Sequence, residues 1–142
     1  QLLKLKTLTG MGTSRFAEAM VASLLTNGTY RKWVQRLRRR LSAEMAKTLQ
    51  VLEDEEWEVF AVPAGGMFVW ARPGSGDGSR VHARARQLGV LLSSGELFSP
   101  TGEHAEWLRI NVAYACDHRA LALFKAMGPT GSTSTILKTT GM

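Results

Sequence analysis

The chain has one cysteine, Cys116, so no internal disulfide can close, and its three histidines, His82, His104 and His118, lack the Cys/His spacing of a metal site. None of the histidines is partnered in sequence by a serine or cysteine, so a nucleophilic triad is not supported. No apolar run approaches the roughly 20 residues that cross a bilayer, which excludes a membrane-spanning helix. No glycine-rich loop joins a strand to a helix in the Rossmann or Walker spacing, and Ser93-Ser94-Gly95 lacks the strained elbow of hydrolases. Acidic residues are the minority, 12 against 18 Lys and Arg, giving a formal charge of +6. The chain opens on Gln1 with no signal-like stretch, as expected of a fragment or a processed product, and the sparse cysteine points to a reducing, cytoplasmic setting.

What is present is a soluble globular composition of 142 residues, 44% apolar and 21% charged, enough for one domain with a real core. The positive excess is concentrated in Arg31, Lys32, Arg36, Arg38, Arg39 and Arg40, ahead of an acidic run from Glu53 to Glu56. Such a stretch reads as a solvated or docking face of a helix more readily than as a groove reader, leaving a nucleic-acid or protein interaction module as an alternative.

Periodicity divides the chain. Residues 1–8 alternate weakly, as in a strand or an extended arm, and Gly10 and Gly12 break the pattern. Ser14 can cap a helix from Arg15 to Thr26 that carries Phe16, Met20, Val21, Leu24 and Leu25 on one face. Trp33, Leu37, Leu41, Met45, Leu49 and Leu52 predict a second helix from Thr29 to Leu52. At 1.5 Å per residue it is roughly 36 Å long, so part of it is expected to dock on something outside the chain. A strand pair follows, near 57–61 and 67–71, then a Gly/Ser turn at 73–78 and a helix from Ser79 to Leu88 with Val81, Ala85 and Leu88 inward. Val90–Leu92 reads as a short buried strand, 93–106 as a polar loop, Trp107–Ala113 as a last strand, and Asp117 as the cap of a final helix to Met127. The fold expected is a small α/β sandwich, a short mixed and largely antiparallel sheet packed on helices and preceded by a helix pair. Its parts are an arm over 1–12, a domain over 13–128 and a flexible Gly/Ser/Thr-rich tail over 129–142.

Few residues carry candidate chemistry. Arg109 is a lone arginine on a half-buried strand; its guanidinium stays charged and needs an anion, either a ligand carboxylate or an internal acid such as Glu96, Glu103 or Glu106. Gly65 and Gly66 either permit positive φ before a strand or let a ligand approach the backbone. Phe98, in a polar loop, covers the core or closes a pocket. Cys116 reads as a small core residue, and Trp33, Trp57, Trp70 and Trp107 as core packing.

Taken in order, PAGGMFVW (63–70), a helix ending in LGV (88–90), SSGELFSP (93–100) and LRINVAY (108–114) resemble the C-terminal small domain of fold-type-I, pyridoxal-phosphate-dependent aminotransferases of classes I and II. The stretch SLLTNGTYRKWVQRLRRRL (23–41) is similar to the helix pair of MocR-type regulators, which fuse a GntR-like winged-helix DNA-binding domain to an aminotransferase-like domain, although Trp33 stands where a histidine is common there. The resemblance implies that Arg109 binds the α-carboxylate of an amino-acid substrate or effector, with Gly65, Gly66, Met67 and Phe98 at the mouth of the site. It implies pyridoxal phosphate held by a large domain that is not in this chain, a homodimer, and DNA contact through a separate winged-helix domain. The family's cofactor-binding lysine and its motif do not occur here, so the chain alone is expected to hold no cofactor covalently and to be inactive. A metabolic aminotransferase of the 2-aminoadipate or aromatic type is the alternative parent.

Overall fold

A computed structural model describes residues 1–10, 12–74 and 78–129, which form two compact units, Gln1–Arg39 and Arg40–Met142. The expected tail from residue 130 onward and residues 75–77 of the expected turn lie outside the described residues.

The first unit is helical. The opening residues, expected as a strand or arm, are instead helix α1, Leu2–Gly10. Leu2, Leu5 and Leu8 recur at helical spacing, and the Thr7 and Thr9 hydroxyls donate to the carbonyls of Leu3 and Leu5, four residues back, at 2.9 and 2.8 Å. Helix α2 runs over Arg15–Thr26 behind an extended Ser14, which makes no side-chain cap bond. Neither α1 nor α2 contains a buried residue, and Phe16, Met20, Val21, Leu24 and Leu25 are all exposed. Gly28, at φ +74°, turns the chain into α3, Thr29–Asp54, which extends into the second unit.

The second unit is built on strands β1 (Trp57–Val59), β2 (Phe68–Pro73), β3 (Ser93–Ser94) and β4 (Leu108–Asn111), in the order β1-β2-β4-β3. The expected α/β architecture is present, and all three described pairings are antiparallel rather than mixed. One sheet face carries Trp57, Val69, Ala71, Leu108 and Ile110 into a core completed by Leu52 of α3, Val81 and Ala85 of α4 (Gly78–Gln87), and Leu123 and Phe124 of α5 (His118–Met127). Asp117 caps α5 as expected, its carboxylate accepting from the Arg119 N–H at 2.9 Å.

Two expectations fail for local reasons. Val90–Leu92 is not a buried strand: the Val90 N–H bonds the Ala85 carbonyl at 2.8 Å, which closes the end of α4, and Leu91 is 97% exposed. Of the four tryptophans only Trp57 is in the core, its Nε1 donating to the Phe124 carbonyl at 3.2 Å, while Trp33 is exposed and Trp70 and Trp107 are half-buried on the other sheet face.

Candidate functional site

The sheet face turned away from the core is made by alternate residues of the same strands. Register places Glu58 opposite Arg72, Trp70 opposite Arg109 and Phe68 opposite Asn111, and the Phe60 N–H bonds the Trp70 carbonyl at 3.0 Å, extending the first ladder by one residue. Cross-strand partners share a face, so this surface is a layer of aromatic and arginine side chains.

Arg109 is held within it by two rings. Its guanidinium carbon lies 4.4 Å from the ring centre of Phe68 and 4.3 Å from that of Phe98, so the cation rests against two phenyl rings. Among the described residues no carboxylate lies within ion-pair distance of it. Glu106, one of the internal acids considered, faces Arg72 at 3.9 Å and His104 at 4.0 Å, while Glu96 and Glu103 make no ion pair among the described residues. Arg72 lies against the Trp107 ring at 4.8 Å and bonds Glu58 at 2.7 Å, so that cation is neutralised within the chain. The contrast between the two arginines is the main electrostatic feature of the face: Arg72 has carboxylates at 2.7 and 3.9 Å, and Arg109, with five N–H donors, has none among the described residues. A planar carboxylate that meets the N–H edge of such a guanidinium forms two charge-assisted hydrogen bonds.

Phe98 closes a short 3-10 turn, Gly95–Phe98, and the loop beyond it folds back over the sheet. Beneath that loop is a cleft of about 470 Å³ lined by Phe60, Trp70, Phe98 and Trp107 and by loop residues from Gly95 to His104. Gly65, Gly66 and Met67 precede β2 and do not line this cleft. They lie beside the arginine only through the strand: Phe68 follows Met67 directly, and the Met67 carbonyl accepts from the Val112 N–H at 3.0 Å. Gly66 has φ +101°, which explains that glycine as a turn residue, whereas a side-chain carbon at Gly65 would meet nothing within 4 Å. Sequence reasoning missed Phe68 as the second ring on Arg109, and Phe60, Trp70 and Trp107 as cleft walls. The signal was present in Phe68-Val69-Trp70-Ala71, where both alternating sets are apolar, as in a strand covered on both faces.

Two solved structures share this architecture. Crystalline LysN, the alpha-aminoadipate aminotransferase from Thermus thermophilus complexed with N-(5'-phosphopyridoxyl)-L-leucine, is similar over 89% of this chain at 24% identity, with a TM-score of 0.69. The Pyrococcus horikoshii kynurenine aminotransferase, in complex with PMP and KYN as substrates and KYA as products, is similar over 92% at 23% identity, with a TM-score of 0.72. The chain shares the fold of the matched part of both structures. It spans about a third of the length of either structure, 35% and 33%. No family model matches the chain, and no curated protein matches it.

The cofactor named in those structures is not assigned a place by the residues around Arg109 and the cleft. Lys6 is paired with Glu18 and Lys47 with Glu44, both at 3.1 Å, and no lysine lines the cleft or contacts Arg109. Among the described residues no cluster of three or more His, Cys, Asp or Glu could hold a metal, and no helix is long and apolar enough to cross a membrane.

Proposed function

We propose that this chain is the part of a pyridoxal-phosphate-dependent aminotransferase-like protein that grips the carboxylate of an amino acid. The single observation that carries this reading is Arg109, a half-buried cation in contact with two rings and without an anionic partner among the described residues. A cation left without an anion in such a position costs several kcal/mol, and a carboxylate arriving edge-on relieves that cost. Gly65, Gly66 and Met67 then border the site through β2, and Phe98 forms one wall. Pyridoxal phosphate is held by residues outside this chain, consistent with a fragment a third as long as the aminotransferases it resembles.

For the parent, we favour a MocR-type regulator of the cytoplasm, dimeric and binding DNA through a separate winged-helix domain. The basis is the likeness of residues 23–41 to that group's helix pair and the run of cations from Arg31 to Arg40, which make no ion pair among the described residues. In a regulator the amino acid biases a two-state equilibrium, so turnover is not needed. A metabolic aminotransferase is the second reading, favoured by the identity of both solved structures.

Calorimetric titration of L-2-aminoadipate and L-kynurenine into the intact protein tests the shared core of both readings. Arg109→Gln should weaken binding by about 2 to 4 kcal/mol without altering cofactor content. Equal affinity in the variant for every amino acid that binds the parent removes the proposal. Sustained transamination by the parent selects the enzyme over the regulator.

A further inference from the structure

The cleft beneath the 95–106 loop is not absorbed by the carboxylate site, because Arg109 is not among its lining residues and Phe98 stands between the two. We propose that this cleft is a binding site for a small neutral aromatic molecule bearing one hydrogen-bonding group, of the phenol or indole class.

Shape comes first. The cleft is about 470 Å³, inside the ~300 to 1,000 Å³ range of small-molecule pockets. Its walls are two perpendicular ring pairs, Phe60 against Trp107 and Trp70 against Phe98, each with centres 5.3 Å apart and interplanar angles of 89° and 87°. Perpendicular pairs offer ring faces and ring edges side by side, and an inserted aromatic ring meets both in the offset or edge-on geometry that its quadrupole favours. An aliphatic guest gains burial only. Phe60 is 72% exposed and Phe98 47%, so among the described residues these rings are left largely uncovered.

The roof is set in advance. The Gly95 N–H bonds the Trp107 carbonyl at 2.7 Å, the Trp107 N–H bonds the His104 carbonyl at 3.1 Å, and the Ser99 hydroxyl accepts from the N–H groups of Thr101 and Glu103 at 3.3 and 3.2 Å. A loop tied at both ends and across its middle keeps the cleft open without a guest, which lowers the cost of ordering on binding.

Charge selects the class. Ser99, Thr101, Glu103 and His104 supply the polar part of the lining, with the Ser99 and Thr101 hydroxyls sharing a hydrogen bond at 3.1 Å. Arg72, the cation against the Trp107 ring, is already matched by Glu58 and Glu106, so an anionic ring meets acidic side chains with no spare cation in the cleft. A neutral ring keeps its body between the aromatic walls and directs one hydroxyl or N–H to the polar rim.

The four tryptophan indole N–H resonances of the 142-residue chain give the test with its own controls. On titration with p-cresol, Trp70 and Trp107 should shift saturably. Trp57, bonded to the Phe124 carbonyl under the opposite sheet face, and Trp33, on α3, should not move. Phe60→Ala should raise the Kd at least tenfold while the Trp57 resonance keeps its position and so reports an intact fold. No saturable shift, equal shifts at all four indoles, or an unchanged Kd in Phe60→Ala overturns the site, as does binding of phenylacetate but not p-cresol, which would assign the ring contacts to the carboxylate site. A parallel titration with acetate, read at the Arg109 Nε–H, tests the arginine separately, so either conclusion can fail without the other.

Discussion

The guanidinium carbon of Arg109 sits 4.3 Å from the ring centre of Phe98, a residue delivered by a loop rather than by the sheet that carries the arginine. The loop therefore acts on the cation directly: together with Phe68, whose ring centre is at 4.4 Å, it restricts where the five N–H donors can point. Phe98 is a positioning residue in this reading. Phe98→Leu keeps apolar bulk but removes the ring quadrupole, about 1 kcal/mol of cation–π attraction, and should weaken carboxylate binding about fivefold. Because the side chain is half exposed, the melting temperature should hardly change. Calorimetry beside a thermal melt checks both, and a large fall in melting temperature with unaltered binding would make Phe98 a packing residue only.

The paired glycines separate cleanly. Gly66, at φ +101°, occupies backbone space that side-chain-bearing residues rarely adopt, so Gly66→Ala should destabilise by about 1 kcal/mol although no atom stands in the way. Gly65 has no positive φ, and an added methyl group there would find no neighbour within 4 Å, so Gly65→Ala should be neutral or slightly stabilising. Any loss of amino-acid affinity in Gly65→Ala then reports close approach by a ligand rather than damage to the turn. Urea unfolding of both variants gives the stability half of this comparison, and equal destabilisation of the two would contradict it.

Much of the scaffold was legible because its signals are local. Asp117 ahead of His118-Arg119-Ala120 reads as a cap, and the carboxylate does accept the Arg119 N–H. Val69 and Ala71 alternate with Phe68 and Trp70, and the strand is there. Residues 1–8 misled because lysines between leucines imitate a period of two, while Leu2, Leu5 and Leu8 already carried the helical spacing. The surroundings of Arg109 were not legible at all. Its strand position follows from LRIN, but whether it meets Glu106 or an aromatic ring depends on how the 95–106 loop folds back, and that is a tertiary outcome.

Asp117 gives a pH prediction. Its carboxyl is held below the ordinary aspartate range, first by the backbone N–H of Arg119 and then by the neighbouring charges of His118 and Arg119, with desolvation opposing. A folded-state pKa below the unfolded one means that the stabilisation is complete above the unfolded value and is lost as pH falls through the folded value. Asp117→Ala should therefore melt lower than the parent at pH about 7, and the gap should narrow below about pH 4, as the carboxyl takes up its proton. Melting temperatures of both proteins across that interval decide it; a gap independent of pH would show that the capping charge is not responsible.

Gly95 is where the fold and the cleft depend on the same atom. A side-chain carbon there would run into the His104 carbonyl and stand 3.2 Å from the Trp107 carbonyl, and the residue's own N–H already bonds that Trp107 carbonyl at 2.7 Å. These neighbours are backbone, so they cannot swing aside as a flexible side chain would. Gly95→Ala must push the two ends of the 95–106 loop apart, Gly95 from His104, at a cost of about 1 to 3 kcal/mol by the usual penalty for overpacking. Gly102, in the same loop at φ +73° but with open space around it, is the control: Gly102→Ala bears only the backbone penalty, about 1 kcal/mol. The two variants should also differ at the surface. In Gly95→Ala the Phe98 ring loses its place against Arg109 and Trp70, so the Trp70 indole resonance should move, whereas in Gly102→Ala it should stay. If both variants lose the same stability and leave Trp70 unmoved, the loop is not what holds Phe98 over the arginine.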